Sequence, residues 1–71
     1  MEKFSTEIEY ATTHALTFKV TSRMRLEEPW EVIFDELPLK EALQIGFSNK
    51  SAAEYAIWID GFLYWSSRKP T

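Results

Sequence analysis

Glu54-Tyr55-Ala56-Ile57-Trp58-Ile59-Asp60-Gly61-Phe62-Leu63-Tyr64-Trp65 is the stretch on which the fold turns. It supports two readings. As a helix it opens with a capping box, Ser51 with Glu54 three residues on, and it carries the helix formers Ala52, Ala53 and Ala56. As a hairpin it sets Asp60-Gly61, the strongest short turn signal, between two runs of β-branched and aromatic residues. The helix near 51–65 is the working expectation. The hairpin would make the fold mostly β with one helix.

Read as a helix, the stretch has two sides at about 100° per residue. Ala52, Tyr55, Ala56, Ile59, Phe62 and Leu63 fall on one, which suits packing on a sheet. Glu54, Ile57, Trp58, Gly61, Tyr64 and Trp65 fall on the other, where a surface helix should be polar. Two Trp and a Tyr on that side suit a binding surface, because such residues bury much area at little rotamer cost. The competing explanation is that the preceding helix and the C-terminal tail cover them.

Working towards the N-terminus, Pro38 follows Asp35 and Glu36 as a helix start, and Leu39, Ala42, Leu43 and Phe47 come at helical spacing. This predicts a helix near 38–46 with Gly46 as its stop. Before it, Trp30, Val32 and Phe34 alternate with Glu31, Ile33 and Asp35, predicting a strand near 30–35. Leu16, Phe18, Val20, Ser22 and Met24 alternate with Thr17, Lys19, Thr21 and Arg23, predicting a strand near 15–24. Phe4, Thr6, Ile8 and Tyr10 alternate with Ser5, Glu7 and Glu9, predicting a strand near 4–11. Pairing these as a meander sets Glu7 across from Lys19, Lys19 across from Asp35, and Arg23 across from Glu31. Such opposite charges contribute about 0.2–1 kcal/mol each. Lys3 across from Arg23 is the one mismatch. The expected fold is α+β: a three-stranded antiparallel β-meander followed by two helices packed on one face, in a single small domain over 1–71.

Residues 54–64 resemble a short segment of small uncharacterised bacteriophage proteins, in which an aromatic-Trp-Leu-x-Gly-Phe-Leu pattern is helical. Tyr64 stands where those proteins have an acid after the Phe-Leu pair. The resemblance implies a helix and a phage or mobile-element origin, and it carries no catalytic residue.

Composition narrows the function classes. The chain has 71 residues and 15% aromatics, which argues against disorder. It has no cysteine, so neither a disulfide nor a thiolate metal site can form. A core of this size rarely supplies more than ~3–5 kcal/mol, so tight aromatic packing or oligomerisation must help. Eleven acids against eight bases give a net charge of −3, which disfavours nucleic acid as the main partner, because phosphates draw basic surfaces. No apolar run reaches the ~18 residues of a membrane span, and the first residues lack a signal peptide's apolar core. The expected location is the cytoplasm.

Chemistry-bearing clusters are few. His14 is the only histidine, and in a predicted loop flanked by threonines it reads as an exposed turn residue. Gly46 and Gly61 stand alone, so there is no phosphate-binding loop. Arg23, Arg25, Arg68 and Lys69 read as ordinary surface. Glu27, Glu28, Glu31, Asp35 and Glu36 form an acidic edge that is either solvated or meets a basic partner surface. No catalytic set, metal or cofactor is expected. The expectation is a non-enzymatic protein-binding module, a phage-type inhibitor or modulator that occludes a host protein. Its binding residues would be Trp58, Trp65, Ile57, Tyr64 and Glu54. The alternative is an accessory subunit that homodimerises through its aromatic C-terminal helix.

Overall fold

Asp60 and Gly61 have φ of +50° and +81°, two consecutive left-handed residues that no α-helix accommodates. They form the two-residue loop of a hairpin, of the kind whose twist matches the flanking strands. Ile59 faces Phe62 across it, and Trp58 faces Leu63. The helix expected near 51–65 is therefore a β-hairpin, and the meander followed by two helices is overturned with it. Ser51, the first half of the expected capping box, lies outside the described residues.

The structure, a computed structural model, describes residues 4–48 and 53–67. Among these the elements run α1 (Ser5–Thr13), β1 (Phe18–Arg23), β2 (Glu31–Leu37), α2 (Leu39–Ser48), β3 (Glu54–Ile59) and β4 (Phe62–Ser66). The strands form one antiparallel sheet in the order β2-β1-β3-β4. The fold is α+β, with α1 ahead of the strands and α2 between β2 and β3. The central pair is β1 and β3, distant in sequence.

The strand expected near 4–11 is the helix α1. Its core contacts come from Phe4, Ile8 and Ala11, spaced as on one helical face, whereas Tyr10, placed inside by the strand reading, is 61% exposed. The helix closes with a Schellman pattern: Leu16 N–H donates to Ala11 C=O at 2.9 Å and Ala15 N–H to Thr12 C=O at 3.2 Å. Ala15 occupies the left-handed position of that motif, with φ +53°. With Glu7 on a helix, its expected pairing with Lys19 across a ladder does not exist.

β1 and β2 pair as expected in direction, but two irregularities shift the register, so that Thr21 faces Val32 and Ser22 faces Glu31. Arg23 accordingly meets Glu54 of β3 rather than Glu31. The expected cross-strand pair of Lys19 with Asp35 is displaced by the same bulge. α2 presents Leu39, Ala42, Leu43 and Gly46 to the core at helical spacing. Gly46 does not stop the helix. It lies within it, buried against Trp65.

Both helices lie on one face of the sheet. There Val20, Leu43 and Ile57 are fully buried, with Ala11, Phe18, Leu39 and Ala42 around them. A bulge in the β3–β4 pairing, after Ile57, turns both Tyr64 and Trp65 towards this core. Tyr64 meets Phe18 edge-on at 5.4 Å, and Trp65 meets Phe47 at 5.1 Å. Among the described residues, no helix covers the opposite face.

Candidate aromatic groove on the open sheet face

Alternation along the central strands sends Lys19, Thr21 and Arg23 of β1, and Glu54, Ala56 and Trp58 of β3, to the face without helices. Such positions should be wet. Yet Thr21 is 3% exposed and Ala56 is fully buried. Side chains of the face itself provide the cover. Trp58 lies over Thr21, and its indole Nε1–H donates to Thr21 Oγ1 at 2.8 Å. Thr21 Oγ1 also donates to Ala56 C=O at 3.4 Å, a longer and weaker link than the one from Trp58. Trp30, just before β2, meets Trp58 edge-on with ring centroids 5.9 Å apart.

A charged unit braces this roof. The Arg23 guanidinium lies 4.1 Å from the Trp30 ring centroid. Its Nε donates to Glu54 Oε1 at 2.9 Å and its Nη1 to Leu26 C=O at 3.1 Å. Ser66 Oγ donates to the other oxygen of Glu54 at 3.5 Å. The Arg23 and Glu54 side chains are 18% and 15% exposed, so solvent screens this pair less than it would a surface pair.

Beside the roof runs an open groove of about 480 Å³. Phe18, Trp30, Val32 and Trp58 supply its apolar lining, and Lys19, Asp35, Glu36 and Asp60 its ionisable lining. The bulge in β2 explains why neighbours Asp35 and Glu36 share it, since a regular strand would send them to opposite faces. Glu36 takes φ +55° there, and its N–H donates to Asp35 Oδ1 at 2.8 Å. A second, apolar hollow of about 390 Å³ lies on the helix side, between Ala11, Leu16, Phe18, Leu39, Ile59 and Tyr64. Burial raises the Tyr64 hydroxyl above its ordinary pKa, and the nearby Glu7 carboxylate adds to the rise.

The expected binding residues divide between the two faces. Trp58 and Glu54 stand on the open face. Ile57 is fully buried, and Tyr64 and Trp65 pack on the helix-side core. A shared helix surface joining all five does not exist, and neither does the helix through which a homodimer was expected to form. Of the acidic edge, Asp35 and Glu36 line the groove, Glu31 begins β2, and Glu27 and Glu28 sit in the exposed β1–β2 connection. His14 is exposed and stacks on Tyr10 at 4.1 Å. Among the described residues, no three of His, Asp and Glu gather as a metal site would require.

Sequence reasoning missed Trp30, Thr21 and Asp60 as site residues. The meander register that sets Arg23 across from Glu31 sets Trp30 across from Met24, and only the β1–β3 pairing brings it to Trp58. The turn signal at Asp60-Gly61 would have placed Asp60 at the end of the open face. Compared with protein-family models, with curated proteins and with solved structures, the chain matches none. Among the described residues no helix is long and apolar enough to cross a membrane.

Proposed function

We propose that the protein is a non-enzymatic protein-binding module whose contact surface is the open sheet face around Trp58 and Trp30. One observation carries this reading: two tryptophans are locked in place on the face that, among the described residues, no helix covers. A roof needed only to keep Thr21 dry could be made of smaller apolar side chains. Trp58 and Trp30 add large, rigid, amphipathic area beside a groove, the composition of binding hot spots. In this reading the module is of phage or mobile-element origin and occludes a host protein with this face in the cytoplasm.

The test is capture of a partner from bacterial lysate by immobilised wild-type protein and by Trp58→Ala, with folding of both checked by circular dichroism. The wild type should retain one dominant protein and the folded variant should lose it, a drop of about 2 kcal/mol or more in affinity. Full retention by folded Trp58→Ala would remove the open face as the contact surface.

A further inference from the structure

We infer that the occupant of the groove is a cationic segment of the partner protein, with a lysine or arginine side chain laid on Trp58 and held by the carboxylates of Asp35, Glu36 and Asp60. This rests on the protein-binding reading and names the chemistry of its partner.

Charge complementarity carries the argument. Three carboxylates and one ammonium line a groove whose apolar lining is indole, phenyl and valine. An indole face attracts cations through its quadrupole, and arginine is the side chain most often found there. Carboxylates beside such a face complete a site for a guanidinium or ammonium group. The molecule already contains one such unit, closed on itself: Arg23 over Trp30, with Glu54 bound to its Nε. The groove beside it repeats the ingredients, indole and carboxylates, for a cation from another chain. A nucleic-acid strand could stack its bases on the same rings, but its phosphates would meet those carboxylates and a chain of net charge −3. An anionic segment would meet the excess of two negative charges that Asp35, Glu36 and Asp60 leave over Lys19, and a neutral one would leave that excess unmatched.

The test is a titration of the full-length ¹⁵N-labelled protein with an acetylated, amidated Gly-Arg-Gly-Arg-Gly peptide, followed by NMR. The same peptide with glutamine for arginine, and oligothymidylate, serve as comparison probes. The arginine peptide should shift the Trp58 indole N–H and the Gly61 amide saturably. The glutamine peptide and oligothymidylate should bind at least about tenfold more weakly. Asp35→Asn with Asp60→Asn should weaken the arginine peptide about tenfold, and raised salt should weaken it further. These changes spare the fold, because Asn keeps the acceptor for Glu36 N–H and Asn-Gly suits the same turn. Glu7→Gln with Glu9→Gln removes the same charge from α1 and should change binding less than about twofold.

Absence of shifts, equal binding of the glutamine peptide, tighter binding of oligothymidylate, or equal weakening by the α1 variant would each overturn the inference. Lysate capture separates it from the reading beneath it. If Asp35→Asn with Asp60→Asn retains the partner in full while Trp58→Ala loses it, the cationic occupant is wrong and the surface stands. If folded Trp58→Ala retains the partner, the surface itself is wrong.

Discussion

The indole of Trp65 fills the space beside Gly46: a Cβ on that glycine would lie 2.5 Å from Trp65 Cζ3. A helix interior ordinarily prefers Ala to Gly by about 1 kcal/mol. Here the added methyl meets a ring wedged between α2 and β4, and overpacking of that kind costs about 1–3 kcal/mol. Gly46→Ala should therefore lower the urea midpoint, with a net loss of up to about 2 kcal/mol. Combined with Trp65→Phe, it should cost less than the sum of the two single changes, because the smaller ring leaves room. A raised midpoint for Gly46→Ala would show that Trp65 is not seated there.

Neighbours Ile57 and Trp58 should respond differently to truncation. Ile57 is fully buried among the helix-side residues, so Ile57→Ala leaves a sealed cavity and should cost about 2–5 kcal/mol. Trp58→Ala removes a hydrogen bond to Thr21 and part of a roof, but the opened space admits water. Its cost should be about 1–2 kcal/mol. Equilibrium denaturation of both variants checks the order, and a larger loss at Trp58 would contradict the assignment of faces.

Two left-handed positions make opposite predictions. At Gly61, φ is +81° and nothing lies within 4 Å of an added Cβ. Gly61→Ala should thus cost only the backbone strain, about 1–2 kcal/mol. Ala15 already bears that strain at φ +53°, in the helix-ending motif that usually uses glycine. Ala15→Gly should raise stability by about 0.5 kcal/mol, the relief of strain outweighing the extra freedom of the unfolded chain. Thermal melts of the two variants should move in opposite directions.

Tyr64 gives the fold a dependence on alkaline pH. Burial, then Glu7, raises its hydroxyl pKa in the folded chain, so the unfolded chain ionises first. The Tyr64 contribution is intact below the ordinary tyrosine pKa of about 10 and is lost as pH rises from there through the folded value. Urea midpoints between about pH 9 and 11 should fall more steeply for wild type than for Tyr64→Phe. Parallel curves would show that the hydroxyl is as free in the fold as in the unfolded chain.

Where one period dominates, the sequence was legible. Leu39, Ala42 and Leu43 have no competing strand reading, and α2 lies where their spacing places it. Phe4 and Ile8 are four apart, and four residues separate like faces in both a helix and a strand. Only Ala11 against Tyr10 decides between them, and that choice depends on how little room the packed helices leave. The hairpin was legible in Asp60-Gly61 but competed with three alanines and a capping box. The same ambiguity divides the site. Glu54 and Trp58, four apart, share a face under either reading. Ile57 and Trp65, eight apart, do so as a helix and as a regular strand. Both do lie on one face here, but it is the helix-side core, a burial that periodicity cannot supply. Trp30 reaches the site through the pairing of β1 with β3, a contact between distant segments with no local signature.

The hydrogen bond from Trp58 to Thr21 also bears on the kinetics of recognition. A free surface tryptophan must give up rotamer freedom and shed ordered water when a partner arrives, and both slow or weaken docking. Here folding has already immobilised the ring and dried its underside. What remains for an incoming chain is the outer half of a preorganised anchor. Affinity built on such an anchor should need little rearrangement of the module.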